Sequence, residues 1–83
     1  MKDVNGLIAQ VSNLHTTKLG IDRIQKNLGL EEDVVEYCKK KVLDQNSIIY
    51  QRGKNWYVET QTEILTINAH SFTIITAHKK EKS

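Results

Sequence analysis

Apolar residues recur with two different periods along this chain, and the change comes at Ser47. Val4, Leu7, Ile8 and Val11 fall at i, i+3, i+4 and i+7, which predicts a short helix with one apolar stripe. Asn13-Leu14-His15-Thr16-Thr17 breaks that pattern, and Thr16 or Thr17 is suited to cap a second helix running through Leu19, Ile21, Ile24 and Leu28. Gly29 stands where a left-handed residue ends such a helix, with Leu30 as its apolar partner. A third helix is expected from Glu32-Asp33, burying Val34, Val35, Cys38 and Val42 and carrying Tyr37 at the edge of the stripe.

From Ser47 onward, side chains alternate. Four strands are expected: 47–51, 56–59, 64–67 and 72–78, the first two joined by a glycine-containing turn at Arg52-Gly53-Lys54-Asn55. Trp56 and Val58 should be buried together, leaving Tyr57 the more exposed. Phe72 and Ile74 should share one face of the last strand, and Ile75 and Ala77 the other. Connections of about four residues are too short for parallel crossovers. The reading is therefore an α+β domain, with two to three N-terminal helices packed on a four-stranded antiparallel meander. It divides into a helical half at 1–45, a sheet at 46–78 and a basic tail at 79–83. With apolar residues on both sheet faces, a homodimer is expected.

Composition narrows this picture. The chain has 83 residues, enough for one hydrophobic core; 39% are apolar and 27% charged, and proline is absent. The single cysteine, Cys38, fits the buried stripe of helix three. No apolar run approaches a membrane span, and no signal-peptide core follows Met1-Lys2-Asp3, so the cytoplasm is the expected compartment and no membrane partner is expected. The net charge of +2 is matched by Lys79-Lys80-Glu81-Lys82 alone, so the folded body is near neutral. A broad basic face for duplex binding is not evident. Lys39-Lys40-Lys41 reads as the solvated face and last turn of helix three.

Three histidines are candidates for chemistry: His15, His70 and His78. Each has hydroxyl neighbours in sequence: Thr16 and Thr17 for His15, Ser71 and Thr73 for His70, Thr76 for His78. A hydroxyl can donate to a phosphate oxygen while an imidazole donates or shuttles a proton. Arg23, Arg52, Lys54 or Lys79 could supply a cation. His15, Thr16 and Thr17 also precede helix two, where free N–H groups attract an anion. The expected ligand-binding set is His15, Thr16, Thr17, Arg23, His70, Thr76 and His78. A three-histidine zinc site is disfavoured, because the histidines lie in unrelated segments without paired spacing. No cofactor is expected.

Leu14-His15-Thr16-Thr17-Lys18-Leu19-Gly20, Arg23-Ile24, Asn27-Leu28, Arg52 to Tyr57 and Asn68 to Lys79 together resemble a small bacterial and phage family known only as a domain of unknown function. The resemblance implies no established activity; its phage membership suggests sequestration of a bacterial immune signal. Ile74-Ile75-Thr76-Ala77-His78 is similar to the last strand of the barnase–EndoU–colicin–RelE group of metal-independent ribonucleases. That likeness would make Thr76 and His78 site residues.

Three functions follow as expectations. The first is a small module binding a phosphorylated ligand, a nucleotide or nucleotide-derived signal. A near-neutral body suits a small ligand better than a polymer with many phosphates. The second is a metal-independent ribonuclease or phosphodiesterase acting on RNA, with histidines as acid and base and Arg23 or Lys79 steadying developing charge. The third is a protein-interaction module using a sheet face or edge.

Overall fold

A computed structural model describes residues 5–80. Helices come first and a four-stranded antiparallel sheet follows, an α+β fold. Helix α1 is Asn5–Ala9, and a 3-10 turn at Val11–Asn13 continues it. Helix α2 is Lys18–Leu28 and helix α3 is Val34–Leu43. Strands β1 (Ile48–Arg52), β2 (Asn55–Glu59), β3 (Glu63–Asn68) and β4 (Ile74–Lys79) form a meander in the order β1-β2-β3-β4.

The helix ends are fixed by the side chains that sequence chemistry places there. The Thr17 hydroxyl accepts from the Gly20 N–H at 3.1 Å, and the Asp33 carboxylate accepts from the Glu36 N–H at 3.1 Å. Each satisfies a donor that has no partner inside the helix. Gly29 closes α2 at φ 66°, and the Leu30 N–H returns to the Gln25 carbonyl while its side chain rests on the core. Each lysine of the run on α3 is engaged at the surface. Lys39 meets Glu36 at 3.4 Å, Lys40 meets Glu32 at 3.6 Å, and the Lys41 ammonium lies 5.1 Å from the Tyr37 ring centre.

One sheet face carries Trp56, Val58, Leu65, Ile67, Ile74 and Ala77 against Leu7, Leu14, Ile24, Leu28, Val34, Cys38 and Val42 of the helical half. Four details differ from the sequence reading. Val4 lies outside the described residues, and Ile8 is exposed, so the first stripe reduces to Leu7 with Val11 packed beside it. Leu19 is 75% exposed, and the buried line of α2 is Gly20, Ile24 and Leu28. Glycine takes the leucine's expected place because any Cβ there would overlap the Thr16 hydroxyl.

The third difference is in β4. Ile67 pairs with Ile74 but Thr66 pairs with Thr76, so Ile75 is an extra residue. This bulge reverses the alternation and sends Ile74 and Ala77 to the same buried face. Fourth, β4 begins at Ile74 rather than Phe72, because Phe72 adopts φ 58° and Thr73 joins an isolated parallel bridge to His15.

That bridge also deals with one sheet edge. The His15 N–H donates to the Phe72 carbonyl, and the Ile74 N–H donates to the His15 carbonyl. The Thr16 hydroxyl donates to the Ile74 carbonyl at 2.8 Å, and the Asn27 amide to the Ala77 carbonyl at 3.3 Å. The outer groups of β4 are thereby occupied by the start and end of α2, which blocks edge pairing on that side. Strand β1 is the other edge of the sheet.

Candidate functional site

Among the described residues, no helix covers the sheet's second face. Alternation and register place Tyr50, Tyr57, Thr66 and Thr76 in one row across all four strands of this open face. Ile48, Glu59, Ile64 and His78 form the next row, and Arg52, Asn55 and Asn68 lie on the other side. The Tyr50 and Tyr57 rings stack with centres 5.4 Å apart and planes 20° from parallel. Beside this aromatic pair the Thr66 and Thr76 hydroxyls have no protein partner among the described residues.

Among the described residues, the Glu59 carboxylate of this face is held by internal partners. Glu59 meets the Lys80 ammonium at 3.1 Å and accepts from Tyr50, and these contacts hold its carboxyl below the usual range. Desolvation, then the bond to Glu59, pushes the Tyr50 hydroxyl above its usual range. Arg52 makes no hydrogen bond or ion pair among the described residues. The His78 ring places Nδ1 3.2 Å from the Lys79 carbonyl. A carbonyl can only accept, so Nδ1 carries the proton in that contact and Nε2 remains unengaged.

The expected site residues separate into groups. Thr76 and His78 lie together on the open face, two residues apart on β4. Thr16 and Thr17 are occupied at the start of α2, one holding the Ile74 carbonyl and the other capping the helix. Arg23 is exposed on α2, which packs on β4 from the helical side. His70 is exposed in the β3–β4 turn, its N–H bonded to the Asn68 side chain at 2.8 Å. His15 sits at the Phe72–Ile74 end of β4, roughly 13 Å along the strand from His78 at about 3.3 Å per residue.

His15 does not use its sequence neighbours Thr16 and Thr17 as hydroxyl partners. Its Nδ1 donates to the Asn13 carbonyl at 2.9 Å, and its Nε2 lies 3.0 Å from the Thr73 hydroxyl. Thr73 in turn lies 2.7 Å from the Ser71 hydroxyl. Both ring nitrogens are thus committed to tying the β3–β4 turn to the approach of α2. Among the described residues, no three His, Cys, Asp or Glu side chains gather where a metal ion could be held.

The open face holds three residues outside the expected ligand-binding set, Tyr50, Tyr57 and Thr66. The aromatic content near Trp56-Tyr57 was the available signal, but only cross-strand register brings Tyr50 beside Tyr57. A second omission is buried. Glu63, 7% exposed, receives the Tyr37 hydroxyl at 2.6 and 2.7 Å on its two oxygens. Burial and then this carboxylate raise Tyr37 well above the usual phenol range. Burial, with Glu63 nearby, pushes the Cys38 thiol up to about 12, which makes it an inert packing group.

No helix among the described residues is long and apolar enough to cross a membrane. Comparisons with curated proteins and with solved structures give no match. The family model described as "Protein of unknown function (DUF3781)" matches residues 8–78, nearly the whole folded domain, and the chain belongs to that family.

Proposed function

We propose that this protein binds a small phosphorylated ligand of nucleotide type on the open face of its sheet. The observation that carries the reading is the continuous row of a stacked Tyr50–Tyr57 pair and two unpartnered threonine hydroxyls, Thr66 and Thr76. A planar base stacks on a half-exposed tyrosine ring, an interaction worth about 1–3 kcal/mol per base. The threonine hydroxyls and the imidazole of His78 donate to phosphate or ribose oxygens. Arg52 adds an unpaired cation, and Lys80 cancels the Glu59 charge that would repel an anion. In this reading Thr76 and His78 belong to the site, whereas Thr16 and Thr17 serve the fold.

Binding is favoured over catalysis because the histidines are dispersed. A ribonuclease mechanism wants a general base and a general acid on opposite sides of one phosphate. His15 has both ring nitrogens engaged, and His78 stands at the far end of β4. Sequestration of a nucleotide-derived immune signal is one role such binding would serve.

The test is mass spectrometry of small molecules released by denaturing the purified protein. A phosphorylated, base-containing compound at near-stoichiometric amount is expected, and Tyr57→Ala should lose it with an unchanged melting temperature. If nothing is released, and calorimetry with nucleoside monophosphates and cyclic dinucleotides gives no heat, the reading is wrong.

A second reading uses the same surface as a protein-interaction site. Ile48, on the β1 edge and in the outer row of the open face, is 62% exposed. Pairing of two β1 edges would give the homodimer and leave the tyrosine row accessible. Light scattering at micromolar concentration decides it: twice 9.5 kDa supports pairing, and 9.5 kDa excludes it.

A further inference from the structure

A cleft of about 530 Å³ opens between the end of α3, the loop before β1 and the β2–β3 turn. None of the seven residues expected to bind ligand lines it. Its volume lies within the range of small-molecule sites, roughly 300–1,000 Å³. Its lining is polar, and its two charged side chains are Lys41 and Asp44.

The walls are fixed by internal hydrogen bonds. The Ser47 hydroxyl donates to the Lys41 carbonyl at 2.6 Å, and one Asp44 oxygen accepts the Asn46 N–H at 2.8 Å. On the facing turn, the Thr60 hydroxyl accepts the Thr62 and Glu63 N–H groups at 3.2 and 2.9 Å. Among the described residues, the side-chain amides of Asn46 and Gln61 and the Thr62 hydroxyl take no other partner and can meet a guest.

The two charges are opposite and unpaired. Among the described residues, Lys41 forms no ion pair, its ammonium resting over Tyr37, and Asp44 forms none either. They do not pair with each other. A phosphate entering here would face the Asp44 carboxylate. A neutral sugar would desolvate both charges and compensate neither. A guest bearing its own carboxylate and its own ammonium compensates both at once. The negative end of the α3 dipole favours the ammonium on the Asp44 side.

We infer that this cleft is a binding site for a small zwitterion, a free α-amino acid. The ligand carboxylate meets Lys41, its ammonium meets Asp44, and the amides of Asn46 and Gln61 hold its polar side chain.

Saturation-transfer NMR of the full chain against the twenty α-amino acids at millimolar concentration provides the test, with glucose and inorganic phosphate as comparisons. At least one amino acid should bind, and its N-acetyl derivative should bind about tenfold more weakly, the effect of losing one charge-assisted contact. Lys41→Met keeps the side-chain stem over Tyr37, and Asp44→Asn keeps the acceptor for Asn46. Both variants should fold and lose affinity to a similar extent, whereas Tyr57→Ala should bind as the unaltered protein does. The inference is overturned if none of the twenty binds, if glucose or phosphate binds as well as the best amino acid, or if both folded variants retain full affinity.

Discussion

Replacing Gly20 by alanine tests how α2 is seated on the edge of β4. In an ordinary helix interior this change stabilises by about 1 kcal/mol, because alanine loses less backbone freedom than glycine. Here the added methyl would overlap the Thr16 hydroxyl and lie 3.4 Å from both Thr16 Cβ and Thr17 Oγ1. Thr16 can yield only by giving up its 2.8 Å bond to the Ile74 carbonyl. Losing that bond costs about 1 kcal/mol, and overpacking adds about 1–3 kcal/mol. After subtracting the helix gain, Gly20→Ala should destabilise by about 1–3 kcal/mol. Thr16→Ala removes the obstacle and costs about 1 kcal/mol by itself. In that background Gly20→Ala should become stabilising by about 1 kcal/mol, a reversal of sign. Urea midpoints by circular dichroism on the four proteins of the cycle measure the coupling, expected at about 2–4 kcal/mol. An equal effect of Gly20→Ala in both backgrounds would refute the steric argument.

Tyr37→Phe should destabilise by about 1–3 kcal/mol, because it leaves the buried Glu63 carboxylate without its phenol donor; Tyr37→Phe with Glu63→Leu should recover most of that loss in the same urea assay. Stability should fall in alkali. The folded-state values of Cys38 and Tyr37 are raised; the Cys38 contribution is complete below the unfolded thiol's value near 9 and is lost as pH rises toward about 12, and the Tyr37 contribution is lost at still higher pH. The stability difference between the unaltered protein and Cys38→Ala should therefore shrink between pH 9 and 11, by up to about 1.4 kcal/mol per pH unit; a difference constant with pH would contradict it. Thr17→Ala should lower stability by about 1 kcal/mol through the lost cap, with ligand affinity unchanged. His78→Ala should do the opposite, weakening binding by about tenfold with no change in melting temperature.

The elements that were legible in the sequence are those set by local chemistry. Asp33, Thr17 and Gly29 mark helix ends through bonds three to five residues long, and the burial of Trp56 and Val58 follows from strict alternation in β2. The misread positions depend on contacts between distant segments. Leu19 follows the helical period but is exposed, because Thr16, held on the Ile74 carbonyl 58 residues away, closes over Gly20 and makes it the inward residue. The bulge at Ile75 changes which β4 side chains are buried, and the alternating sequence carries no mark of it. Glu63 reads as a turn acid until Tyr37, 26 residues earlier, is placed over it. The same division holds for the site. Thr76 and His78 share a face by strand period alone, but the hydroxyl partner of His15 lies 58 residues away, and Tyr50 joins Tyr57 only through register.

The most direct test of ligand binding on the open face is an amide chemical-shift titration of the labelled protein with the compound it releases on denaturation, or with a nucleoside monophosphate. Shifts should concentrate at Tyr50, Tyr57, Thr66, Thr76 and His78 and leave α2 and α3 unmoved. Shifts confined to His15, Thr16 and Thr17, or no shifts at saturating ligand, would contradict the account.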